Sequence, residues 1–123
     1  MPAPLKKNGS LPIAKIIVGN AQPATYKNKL ILANANRLDI GSGSEVDFSN
    51  VPGINTVQDL NQSTYKWDVR VIKATTNPSE VHNINVTITQ DDTVVFNYDD
   101  PDNGEFGDNN AYIWTDEIDF IVQ

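Results

Sequence analysis

Apolar and polar residues alternate along much of this 123-residue chain, and the alternation is the feature that most constrains its fold. Residues 65–71, YKWDVRV, place aromatic and aliphatic side chains on one side of an extended strand and charged side chains on the other. Residues 84–89, INVTIT, alternate in the same way. Because successive side chains of a strand point to opposite faces of a sheet, both segments are predicted to be strands with one buried and one solvated face.

The order of such segments predicts two β-hairpins. Residues 84–89 and 94–98 are separated by the polar tetrad QDDT, and residues 38–40 and 46–48 are separated by the flexible sequence GSGS. A strand, a short polar segment and a second strand are typical of a hairpin. The last segment, AYIWTDEIDFIVQ, is predicted to be β-structure that Thr115–Glu117 interrupts.

No segment has the apolar periodicity of a helix of three turns, although residues 57–60 could form a single helical turn. The apolar face of each strand must therefore be covered by a second sheet. Glycine, proline and asparagine recur about every 8–12 residues, which is the spacing of an all-β sandwich. We predict a two-sheet β-sandwich, jelly-roll or immunoglobulin-like, with about 7–9 short strands. It forms a single domain at 13–123, preceded by an extended basic N-terminal arm at 1–12.

Residues suited to catalysis are scarce. The chain has no cysteine, and His82 is its only histidine. No G-x-S-x-G nucleophile motif, phosphate-binding glycine loop or histidine-rich zinc spacing is present. Carboxylates are abundant, but abundance is expected in any acidic chain. We therefore expect a protein that is not an enzyme, and we hold a hydrolase with paired carboxylates only in reserve.

Charge is distributed unevenly along the sequence. Residues 1–38 carry six cations and no carboxylate, whereas the remainder carries three cations and all sixteen carboxylates, for a net charge of −7. Such an acidic chain repels phosphate backbones, so we expect no nucleic-acid binding. No apolar stretch is long enough for a membrane span. The arm is rich in proline and is expected to dock on acidic surfaces of its own or another copy through Lys6, Lys7 and Lys15.

The sequence YDDPDNGEFGDNN at residues 98–110 is the densest acidic segment. Hard cations such as calcium prefer carboxylate and amide oxygens, which this loop supplies. The helix–loop–helix calcium template fits only in part, because Pro101 and Asn110 stand where it needs an Asp or Asn and a Glu. A sandwich-type calcium site, a solvated loop and a contact for a basic partner remain open. The candidate metal ligands are Asp99, Asp100, Asp102, Asn103 and Asp108.

Polar and aromatic residues that follow the acidic loop suggest a sugar site, since aromatic rings beside polar groups are typical of lectins. The candidate ligand-binding residues are Asn109, Asn110, Tyr112 and Trp114. The competing interpretation is that strand aromatics alternate into the core, which fits Trp67 well and favours burial of Trp114 too.

These observations favour a non-catalytic structural protein that self-assembles, as a homo-oligomer or with another protein. The alternative is a carbohydrate-binding module or lectin, with or without calcium, that binds a glycan. No signal peptide is evident, so we expect a cytosolic or virion-associated protein, or one exported by a route that this sequence does not reveal.

Overall fold

The computed structural model describes residues 2–123, and they fold almost entirely into β-structure. The strands are β1 Pro2–Leu5, β2 Ile13–Val18, β3 Ala24–Ile31, β4 Arg37–Gly41, β5 Glu45–Asp47, β6 Thr64–Ile72, β7 Val81–His82, β8 Ile84–Gln90, β9 Thr93–Asp99, β10 Gly104–Glu105 and β11 Ala111–Val122. Within the described residues the only helical segments are single 3-10 turns at Phe48–Asn50 and Val57–Leu60. None of these turns approaches the length or apolar character of a membrane span.

Two main sheets form the predicted all-β sandwich, which is confirmed. The larger sheet has the strand order β1-β11-β6-β3-β4, and the smaller has the order β5-β2-β8-β9. A separate two-stranded ribbon joins β7 to β10. Nine strands therefore lie in the two main sheets, at the upper end of the predicted number.

The core lies between the two sheets, where the period-two pattern places it. The odd-numbered residues of β6 from Tyr65 to Val71 have no exposed surface, and neither do Ile84, Val86 and Ile88 of β8. Burying one side chain of this size stabilises the fold by about 1.5–3 kcal/mol. Trp67 packs against Trp114 with ring centroids 5.3 Å apart, and Trp114 is only 5% exposed. The aromatic residues of β6 and β11 thus belong to the core.

The hairpin at residues 84–99 forms as predicted. Gln90 pairs with Thr93, so the turn consists of Asp91 and Asp92. Their φ angles of 52° and 63° match the two left-handed residues of a type I′ turn. This turn has the twist that adjacent antiparallel strands require.

The hairpin predicted at residues 38–48 is wrong. β4 pairs with β3 in the larger sheet, whereas β5 pairs with β2 in the smaller one, so residues 41–44 cross between sheets. The fully buried Asn28 holds this crossover, because its amide donates to the carbonyl oxygens of Gly41 (3.2 Å) and Gly43 (2.8 Å). Gly41 has a φ of 122°, which side-chain-bearing residues rarely adopt.

The first and last strands pair with each other, and the last strand differs from the sequence-based expectation. Residues 2–5 form a strand parallel to β11, with Ala3 and Leu5 fully buried, so this part of the arm is integral to the larger sheet. β11 continues without a break through Thr115–Glu117. Backbone pairing with β6 extends through this segment and overrides its polar composition.

Candidate interaction surface

The acidic loop at residues 98–110 is organised around a buried carboxylate. Asp100 is 3% exposed. Its carboxylate accepts hydrogen bonds from the Tyr112 hydroxyl (2.6 Å) and from the Asp102 backbone N–H (2.9 Å). Burial and the hydrogen bond to Asp100 raise the pKa of Tyr112 above its usual range. Asp100 therefore fixes the start of the loop to β11.

Two further predicted metal ligands bind the protein itself. The Asn103 side chain accepts from the Ile84 N–H (2.9 Å) and donates to the Ile84 carbonyl (3.2 Å), so it extends the edge of β8. Asp99 accepts from the Asn85 amide (2.8 Å). Asp102 and Asp108 are exposed. Among residues 2–123 no three His, Asp or Glu side chains gather as a metal site would require, and calcium binding stays a prediction.

The predicted sugar-binding aromatics point toward the protein interior. Tyr112 stacks on His82 with ring centroids 3.7 Å apart and planes 8° apart, and Trp114 lies in the core. Asn109 and Asn110 are exposed at the end of the acidic loop. A sugar platform at this place would have to form without the face of Trp114, and glycan binding stays a prediction.

His82 is a buried member of β7, 4% exposed, and is packed between Tyr112 and Phe106. Burial lowers its pKa, and the nearby carboxylates of Asp100 and Asp102 oppose this effect only in part. The Nδ1 atom has no hydrogen-bond partner among the described residues. The native state therefore favours the neutral imidazole.

Acidification is expected to destabilise the fold through His82. Below the unfolded-state pKa of about 6.5, the unfolded chain binds a proton that the folded chain does not. The free energy of unfolding therefore decreases as the pH is lowered. The slope from this group is at most about 1.4 kcal/mol per pH unit. Thermal melts of the wild type and His82→Phe between about pH 7.5 and 5 measure it. Equal slopes in both proteins would contradict this assignment.

Sequence reasoning missed Glu80, which organises the neighbouring connection at residues 73–80. Its carboxylate accepts from the backbone N–H groups of Ala74 (2.7 Å) and Thr75 (2.8 Å), from the Thr75 hydroxyl, and from the Gln22 amide (2.9 Å). The Thr75 hydroxyl contributes most to lowering the pKa of Glu80 to about 2. The Glu80 carbonyl also accepts from the Phe106 N–H (2.9 Å), which ties the acidic loop to this connection.

The outer face of the larger sheet carries a cationic cluster. Lys27 and Lys29 of β3 lie on this face, as do Lys66 and Arg70 of β6, because their neighbours along each strand are buried or packed against the core. The register places Lys29 beside Lys66, and Lys27 beside Asp68. Asp68 lies among these four cations, and the register also places Asp39 beside Lys29 and Glu117 beside Lys66.

Two depressions, of about 170 and 500 Å³, run together across this face because Lys27 and Asp68 line both. Ile113 of β11 lines the larger one and is 59% exposed. We define the cationic face by the residues that line these depressions and are not buried: Thr25, Lys27, Lys29, Lys66, Asp68, Arg70, Ile113 and Thr115.

The lysines predicted for assembly lie elsewhere. None of the three lines the two depressions. Lys6 and Lys7 are exposed in the segment that follows β1. Lys15 lies on the smaller sheet, where it pairs in register with Glu45.

Comparison of this chain with protein-family models, with curated proteins and with solved structures gave no match.

Proposed function

We propose that this protein is a non-catalytic structural subunit that associates with further copies of itself. The observation that carries the proposal is the cationic face, where four cations and one carboxylate line two adjoining depressions on a chain whose net charge is −7. These cations are complementary in charge to the exposed carboxylates of another copy. Association directed by complementary charge also suppresses wrong orientations between two acidic molecules.

The acidic loop is the best complement to the cationic face. Asp100 is buried, whereas the other four carboxylates of the loop are exposed: Asp99, Asp102, Glu105 and Asp108. The face and the loop are different surfaces, so the contact is heterologous and extends into rings or filaments. Each exposed ion pair contributes only about 0–1 kcal/mol, so burial of Ile113 has to supply part of the affinity.

Reversing charge on either surface is expected to abolish association. Lys27→Glu/Lys66→Glu reverses the face, and Asp102→Lys/Glu105→Lys/Asp108→Lys reverses the loop. Light scattering at about 0.1 M salt should give a mass above 13.6 kDa for the wild type and a monomer for each variant. At about 1 M salt, where screening is strong, the wild-type mass should fall as well.

Mixing the two variants provides the decisive control. The reversed face of one then meets the reversed loop of the other, and the unchanged surfaces also match, so assembly should return. Lys6→Glu/Lys7→Glu makes the same charge change outside the face and should leave the mass unchanged. A wild type that is monomeric at high concentration and low salt, or a mixture that stays monomeric, would refute the proposal.

A further inference from the structure

The N-terminal strand β1 occupies one edge of the larger sheet, where it pairs with β11. Ala3 and Leu5 insert into the core and have no exposed surface. Register pairs Ala3 with Phe120, which is also fully buried. Removal of β1 from its position would therefore leave an apolar strip along β11 uncovered.

The other edge of β1 is closed to further strands. The Leu5 carbonyl accepts from the Gln123 N–H (2.8 Å) and the Lys7 N–H donates to the Gln123 carbonyl (3.1 Å), so odd-numbered residues direct their backbone groups toward β11. Even-numbered residues point away, and Pro2 and Pro4 have no N–H to offer. A new strand would find few donors there, so simple edge-to-edge addition is disfavoured.

A seven-residue linker, residues 6–12, connects β1 to β2. It is folded back on itself, with the Gly9 N–H donating to the Lys6 carbonyl (3.0 Å). Fully extended, seven residues span roughly 23–25 Å. When it opens, the linker therefore lets β1 move up to this distance from the start of β2.

Gln90 holds the linker in its folded-back form, together with the Asp91 carboxylate, which accepts from the Ser10 N–H (3.2 Å). Gln90, 3% exposed, accepts from the Lys6 N–H (2.8 Å) and donates to the carbonyls of Lys6 (2.8 Å) and Ser10 (3.0 Å). Gly9 packs against this amide so closely that a Cβ there would lie 2.4 Å from the Gln90 nitrogen. We call Gln90 with its partners Lys6 and Ser10 the amide clamp.

We propose that β1 is exchanged between copies of this chain, so that residues 2–5 of one molecule pair with β11 of the next. This inference rests on the proposed function, because it requires that copies associate. The exchanged strand would make the same backbone and core contacts as before, and only the linker and the amide clamp would change. Exchange of an identical element is a low-cost route to assembly for this reason.

Cysteine pairs test the exchange directly, since the natural chain has no cysteine. Pro4 and Ile121 are register partners on the outer face, within the distance that a disulfide spans. Pro4→Cys/Ile121→Cys is assembled under reducing conditions at low salt, oxidised, denatured and run on a non-reducing gel. Thr64→Cys/Asp119→Cys, which joins β6 to β11, is the matched control for strands that do not exchange.

Exchange should link Pro4→Cys/Ile121→Cys chains covalently at twice 13.6 kDa or more, whereas the control pair stays at 13.6 kDa. Adding Gln90→Ala should raise the linked share, because it opens the amide clamp. If light scattering shows multimers while the test pair stays at 13.6 kDa, the exchange is refuted and self-association stands. If light scattering shows monomers only, both proposals fall.

Discussion

Replacing Asn28 with alanine is expected to lower the free energy of unfolding by about 2–4 kcal/mol. Asn28 is fully buried, and its side-chain oxygen accepts the hydrogen bond of the Tyr65 hydroxyl at 2.6 Å. Tyr65 is also fully buried, so the alanine leaves its hydroxyl without a partner and creates a cavity beside it. Burial raises the pKa of Tyr65, so the phenol stays neutral and cannot gain by ionising.

The same substitution should disturb the crossover between the sheets. Asn28 lies at a β-bulge in the pairing of β3 with β4, where Asn28 faces Gly41 and Lys29 faces Asp39. Its two donated bonds hold the carbonyls of Gly41 and Gly43 in place. Amide hydrogen exchange in residues 37–47 should rise more than in β8, which lies in the centre of the smaller sheet.

Denaturant unfolding of a double-mutant cycle measures the Asn28–Tyr65 contact. Tyr65→Phe alone should cost about 1–2 kcal/mol, because it removes the hydroxyl but leaves Asn28 bonded to the two glycine carbonyls. In Asn28→Ala/Tyr65→Phe no hydroxyl remains to be stranded, so the loss should be smaller than the sum by about 1 kcal/mol or more. Additivity within about 0.5 kcal/mol would show that the hydroxyl is satisfied in another way.

Asn28 also shows why the sequence predicts strands better than their partners. The alternation in residues 65–71 and 84–89 is local, and the corresponding strands β6 and β8 form as predicted. Whether residues 41–44 turn back or cross between sheets depends on two hydrogen bonds that the Asn28 side chain donates. Their acceptors, the carbonyls of Gly41 and Gly43, lie 13 and 15 residues further along the chain. Local periodicity carries no information about such a donor.

The sequence likewise predicts only part of the candidate site. Composition alone predicts the acidic loop, but the burial of Asp100 follows from its bond to Tyr112, and no spacing rule marks that pair. The positive charge of residues 1–38 is visible in the sequence, yet the cationic face combines Lys27 and Lys29 with Lys66 and Arg70 from the acidic remainder. Only the register of β3 with β6 brings these four residues together.

Replacing Gln90 with alanine is expected to loosen the N-terminal strand without unfolding the domain. The substitution removes all three hydrogen bonds of the amide clamp, and water replaces them in part because Lys6 and Ser10 are exposed. We expect the local cost to be about 1–3 kcal/mol. The Lys7 and Gln123 amides, which report docking of β1, should then exchange roughly five- to hundred-fold faster. The Ile88 amide, in the core of the smaller sheet, serves as the control for global unfolding.

Gln90→Glu distinguishes the amide clamp from simple packing, because it preserves the shape of the side chain. A carboxylate can still accept from Lys6, but it has no hydrogen to donate to the carbonyls of Lys6 and Ser10. Near neutral pH this variant should therefore loosen β1 at least as much as Gln90→Ala does. Repulsion from the two carbonyls raises the pKa of the new carboxyl in the folded state, so its protonated form, which donates one hydrogen bond, is stabilised by folding.

The defect in Gln90→Glu should consequently shrink as pH falls, whereas the defect in Gln90→Ala should not depend on pH in this way. Exchange of the Gln123 amide in both variants, each normalised to the wild type at the same pH, separates the two effects. If Gln90→Glu behaves as the wild type at neutral pH, the hydrogen bonds of the amide clamp do not hold the linker. If β1 loosens in both variants while the domain stays folded, Gln90 determines how readily residues 2–5 are released.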